Sequence, residues 1–166
     1  MKMSLNARSF LLFATTASLL LALAVVPARA QLQIEIVDGI EGALPVAVVP
    51  FDVSAAELPP ETPLHEVISA DLRRSGLFAP LTVDEMIDRP SEPAAVRFGT
   101  WRLLKTDYLV LGRYVPGAEE QGGEIRYHLV AVHSGRTLFS RAIPAGPGEF
   151  RLRAHQIVDA VYAELT

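Results

Sequence analysis

The sequence contains no cysteine, which excludes a disulfide framework and any lipid attached at a cysteine. Histidine is scarce as well. His65, His128, His133 and His155 are all there are, and none falls in an H-E-x-x-H pattern or at zinc-ligand spacing with acidic support. His128 and His133 are five apart, along a strand and its turn. No phosphate-binding Walker loop, no G-x-S-x-G elbow and no dinucleotide fingerprint occurs, and Gly146-Pro147-Gly148 reads as a turn. The 19 acidic residues always permit some carboxylate pair, but no motif singles one out. The chain is therefore not expected to be an enzyme, and no cofactor or metal is expected.

Basic residues are also in the minority, and the first thirty positions make that more pronounced. Lys2 and Arg8 precede an uncharged apolar run from Phe10 to Val26, followed by Pro27 and Ala28-Arg29-Ala30. This is the pattern of a cleavable signal peptide, with the cut between Ala30 and Gln31. A membrane-spanning helix wants about 20 apolar residues; this run is shorter and includes Thr15, Thr16 and Ser18. The leader holds three basic and no acidic residues, so the remaining 136 carry 12 basic against 19 acidic groups, a net charge of −7. Such a balance repels phosphate backbones and argues against nucleic acid as a partner. The expected mature protein is one exported domain with no stable membrane insertion.

Leu32, Ile34 and Ile36 alternate with Gln33 and Glu35, the period of a strand with one buried face. Val46 to Phe51 is apolar nearly throughout, as in a strand covered on both faces, with Pro50 near its end. Thr62-Pro63 predicts an N-cap followed by proline in the first helical position. Leu64, Val67, Ile68 and Leu72 then keep helical spacing up to Gly76. Phe78 to Leu81 reads as a short extended piece. Thr82 with Glu85 makes a capping box for one or two helical turns through Ile87. Phe98, Trp101 and Leu104 mark a further helix, with Trp101 in the core. Tyr108–Val115, Ile125–Val132 and Thr137–Ile143 predict an antiparallel meander. Ala154, Ile157, Val158, Val161 and Leu165 share one face of a final helix. The predicted fold is an α/β two-layer sandwich, a mixed sheet of about five strands against two to three helices.

Two polar sites interrupt the apolar faces. Asp71 shares the stripe of Val67, Ile68 and Leu72, and a buried carboxylate there requires hydrogen-bond partners; the N–H groups of a neighbouring loop are the expected ones. His155 and Asp159, four apart on the last helix, are expected to bond to each other. All three are read as structural polar residues.

Together these segments resemble the TolB family of the Tol–Pal system. Leu32 to Ile36 looks like the family's first strand. Pro45-Val46-Ala47-Val48-Val49-Pro50-Phe51 resembles its P-[IV]-A-V-[VI]-P-F signature, and Ile68 to Leu81 matches I-x-x-D-L-x-x-S-G-x-F-x-P-L at every specified place. Trp101 with Asp107 to Gly112 resembles W…D-x-[LV]-V-x-G. Ala154-His155 with Ile157, Asp159, Val161, Tyr162, Leu165 and Thr166 matches A-H-x-I-[AV]-D-x-[VI]-Y-x-x-L-T. Two departures stand out: Ala131 where the family usually has aspartate, and Lys105-Thr106 where a glycine commonly precedes the aspartate at 107.

The resemblance implies a periplasmic adaptor in outer-membrane invagination at cell division, envelope integrity and protein transport. It further implies that Gln31 to Gly39 engages TolA, an inner-membrane protein, with Leu32, Ile34 and Ile36 as anchors. Family members continue into a β-propeller that grips the lipoprotein Pal. No forty-residue repeat follows here, so the chain is expected to correspond to residues 31–166 of an amino-terminal domain, without Pal binding. The alternatives are a stand-alone periplasmic small-ligand module, with a cleft near Pro144 to Gly148, and a truncated remnant.

Overall fold

The computed structural model describes residues 42–117 and 122–166. The segment Leu32 to Ile36 and the junction Ala30–Gln31 lie outside the described residues. Strand β1 (Leu44–Val48) leads to helix α1 (Leu64–Arg74) and the short strand β2 (Phe78–Pro80). Two single 3-10 turns, Val83–Glu85 and Pro93–Ala95, and helix α2 (Phe98–Leu103) follow. The meander β3 (Tyr108–Pro116), β4 (Gly123–Ala131) and β5 (Arg136–Ala145) precedes the terminal helix α3 (Phe150–Leu165).

The sheet runs β2-β1-β3-β4-β5. β1 is parallel to both neighbours, with Leu44 opposite Phe78 and Val46 opposite Tyr108; the last three strands are antiparallel. The step from β1 to β2 moves one way along the sheet, and the step from β2 to β3 moves back past β1. Connections of one hand must then lie on opposite faces. Accordingly, α1 covers one face and the stretch containing α2 covers the other. Val46, Val48, Val110, Ile125, Tyr127 and Leu129 pack beneath α1 and α3. Ala47, Val49, Leu109, Leu111, Val130 and Val132 pack against Met86, Val96 and Trp101. The result is the predicted two-layer arrangement of a mixed five-stranded sheet and three helices, with a thin irregular cover on the second face.

The helices form where their apolar spacing lets them reach this core. Leu64, Val67, Ile68 and Leu72 are buried on α1, as are Phe150, Ala154, Ile157 and Val161 on α3. Three local expectations need correction. Pro63 is the cap residue of α1 and not its first helical residue: its ψ of 139° is extended, and its carbonyl accepts from Glu66 and Val67. The strand expected over Val46 to Phe51 is shifted two to three residues towards the amino terminus, because Leu44 and Pro45 pair with β2 and the ladder ends before Pro50, which has no N–H to offer. The capping box is real, since Glu85 Oε2 accepts from both the N–H and the hydroxyl of Thr82. It supports a single 3-10 turn, however, and Ile87 is exposed.

Two backbone positions are constrained by close approach or by a turn. A Cβ on Gly112 would stand 2.3 Å from the Arg126 carbonyl oxygen and 2.8 Å from the Phe51 ring, so close approach of β4 forbids any side chain. Helix α2 ends in a Schellman turn, with Lys105 N–H donating to Arg102 O and Thr106 N–H to Trp101 O. That turn needs a left-handed residue, and Lys105 supplies it at φ 54°.

Lys105→Gly removes the steric cost of a side chain in the left-handed region, about 1 kcal/mol. The variant should melt about 2–4 °C higher, whereas Lys105→Val should melt lower; a thermal unfolding series reads both.

Candidate functional site

Asp71 stands at the flank of α1 where the helix meets α3, and its side chain is 16% exposed. Its Oδ1 accepts from Arg74 Nη1 at 2.9 Å, and its Oδ2 meets His155 Nδ1 at 2.5 Å. The expected partners, loop N–H groups and, for His155, Asp159, are therefore replaced by a bridge between helices 84 residues apart in sequence. The physical reason is orientation. His155 follows Ala154, whose small side chain is buried against the core, and so faces across the helix pair, whereas Asp159 points to solvent. The groove above this pair is lined by Thr62, Glu66, Asp71, Arg74, Arg151 and His155 and encloses about 260 Å³.

At the start of α3, Glu149 Oε2 accepts the Gly146 N–H at 2.8 Å and Arg153 Nη2 at 2.9 Å. Those two donors hold its carboxyl below the ordinary glutamate range. Beside this turn, an open depression of about 410 Å³ is bounded by Leu58, Pro60, Thr62, Gly148, Phe150 and Arg151. It lies at one end of the cleft expected near Pro144 to Gly148.

A second polar cluster sits on the sheet face that bears the irregular cover. His128, almost fully buried, bonds Ser140 through Nδ1 at 2.7 Å. Its Nε2 is 3.4 Å from Glu92 Oε2, and Arg113 Nε is 2.8 Å from Glu92 Oε1. The Arg113 contact is an ion pair without hydrogen-bond alignment. Burial pushes the His128 imidazole below its ordinary value, opposed by Glu92 and assisted by Arg113. His133 instead bonds Asp107 at 2.9 Å, so the two histidines serve separate contacts. The quartet of Glu92, Arg113, His128 and Ser140 was not foreseen, since only the pairing of β3, β4 and β5 brings it together. Among the described residues, no cluster of three or more His, Asp or Glu side chains is placed to hold a metal ion. Trp101 is wholly buried, as expected.

These observations define a class: an α/β domain with a mixed, mainly antiparallel sheet, whose helices are pinned to each other by an aspartate–histidine bridge. Within that class the chain belongs to the TolB amino-terminal domain family, whose model matches residues 32–138. It is 39% identical over 149 residues to the Tol-Pal system protein TolB of Methylococcus capsulatus, covering 90% of this chain and 34% of the relative. The TolB of Thioalkalivibrio sulfidiphilus is 36% identical over 151 residues, with the same coverage of 90% and 34%. The chain thus spans about a third of the length of these relatives. The crystal structure of TolB from Acinetobacter baumannii shares the fold, with a TM-score of 0.60 and 24% identity, over 75% of this chain and 28% of that one. Among the described residues, no helix is long and apolar enough to cross a membrane.

The helix bridge predicts energetic coupling. In a double-mutant cycle of Asp71→Ala and His155→Ala, each single change should destabilise, and the coupling should be about 1 kcal/mol, because the pair is only part-buried. Additive singles would remove the bridge as a stabilising contact.

The His128 environment predicts a pH dependence. Its folded-state affinity for protons is lowered by burial, so the unfolded chain binds the proton first as pH falls below about 6.5. Stability is full above that pH and declines below it; His65 acts in the same direction, for the same reason. Urea unfolding at several pH values between 7 and 5 should show a shallower decline for His128→Gln than for the parent.

Proposed function

We propose that this domain is a non-enzymatic periplasmic adaptor of the Tol–Pal system, and that Gln31 to Gly39 engages a TolA-like inner-membrane partner through Leu32, Ile34 and Ile36. The observation that carries the reading is the family match, which begins at residue 32 and so includes this segment. In this reading, residues 1–30 are a signal peptide removed after Ala30, and residues 31–166 are the working domain. The wider roles in outer-membrane invagination at division, envelope integrity and transport follow from membership of the same system.

The physical balance suits an exchangeable strand. Burying three branched aliphatic residues contributes roughly 5–9 kcal/mol gross, at about 1.5–3 each. Ordering some six residues costs about 1–2 kcal/mol apiece in backbone entropy. The two nearly cancel, so a modest difference in affinity decides whether such a segment pairs with a partner's sheet edge. The rest of the domain supplies a body that does not change with that choice. Its first described strand, β1, is fixed between β2 and β3.

A chain lacking Gln31 to Gly39 should keep its circular-dichroism spectrum and lose binding to TolA. Retained binding would overturn the assignment of the segment. Amino-terminal sequencing of the protein recovered from the periplasm should begin at Gln31.

A further inference from the structure

The two borders of the sheet are built differently. β2 is three residues long and ends in Pro80, which makes it a poor template for another strand. β5 is ten residues long, and among the described residues it pairs only with β4. Arg136, Thr137, Ser140, Arg141 and Ala142 on it are exposed. A strand of this length with an open side presents a row of unpaired N–H and C=O groups.

Charge sets what that row accepts. The interior strands carry arginines too, but each is matched by a carboxylate of the chain: Arg113 by Glu92 at 2.8 Å and Arg126 by Glu124 at 2.6 Å. β5 contains Arg136 and Arg141 and no acidic residue. Among the described residues neither forms a salt bridge, and Arg141 lies over the Phe139 ring at 4.4 Å from its centroid. Among the described residues these two guanidiniums stand unneutralised, in a chain with 19 acidic and 15 basic residues. The same arginines disfavour pairing of β5 with β5 of a second copy, because antiparallel pairing would bring four guanidiniums together.

We propose that the outer edge of β5 receives an extended acidic segment of a partner protein as a sixth strand, main-chain hydrogen bonds supplying the affinity and Arg136 and Arg141 the selection for carboxylates. Pro144 stops the added strand at one end, and the turn before Arg136 stops it at the other. The proposal does not rest on the reading of Gln31 to Gly39, so a chain lacking that segment is expected to keep the binding described here.

The test uses the full chain and labelled peptides of about ten residues, the length of β5. One peptide alternates threonine and glutamate, a second replaces glutamate by lysine, and a third keeps the glutamates but replaces every second threonine by proline. Anisotropy should show the first binding at least about tenfold tighter than the other two. Amide exchange should slow along 136–143. The exposed double substitution Arg136→Glu/Arg141→Glu should invert the preference towards the lysine peptide. Equal binding of the first and third peptides would reduce the effect to charge alone and overturn strand addition. Equal binding of the first and second, protection confined to another part of the sheet, no binding, or self-association through β5 would overturn the proposal as well.

Discussion

The pairing of β1 with β3, buried on both faces, is the constraint on which the rest of the domain depends. Val46, Val48 and Val110 turn one way and Ala47, Val49, Leu109 and Leu111 the other, and each is at most 1% exposed. Two strands with no wet face require two separate covers. The chain supplies helices on one side and, on the other, an irregular run anchored by Trp101. That second cover has fewer regular hydrogen bonds to spend on itself, and the Trp101 indole N–H finds no acceptor among the described residues. Burial of so large an aromatic outweighs the missing bond, which costs about 1–3 kcal/mol.

The helix layer meets a different demand. α1 is a crossover inside the parallel part of the sheet, whereas α3 arrives after the antiparallel meander. Apolar packing between the two is non-directional and allows sliding. Asp71 and His155 add a directional contact between the first and last helices among the described residues. Two of the stretches that carry the family resemblance, one around Asp71-Leu72 and one around Ala154-His155, are therefore the two halves of one contact. At these two places the pattern reads as packing geometry.

What was legible in the sequence followed periodicity. The apolar spacing of α1 and α3, the breaks at Gly76 and Ser134-Gly135, and the order of elements all lie within short windows where local pattern and burial agree. What was not legible depended on register between strands or the relative rotation of helices. Asp71 was recognised as a buried carboxylate needing partners, yet nothing near it in sequence pointed to His155. The Glu92–Arg113–His128–Ser140 cluster draws on three strands and a loop, and the β4–β5 register shifts between Leu129 and Val130. A shift of one residue there would turn Ser140 away from His128. Lys105 is a different case: nothing in its sequence neighbourhood marked the left-handed backbone that the end of α2 requires.

The direction of the electrostatic perturbations bears on mechanism. A carboxylate that transfers protons near neutrality must have its pKa raised towards the working pH. Asp52, Glu85, Asp88 and Glu149 all move the other way, held down by Ser54, Thr82, Arg97, and by the Gly146 N–H with Arg153, respectively. Each of these contacts closes a turn or joins a loop to its neighbour. His65 and His128 shift down through burial, which favours neutral imidazole within the packing. The resolved carboxylate and histidine shifts are thus those of groups whose contacts hold loops and strands in place.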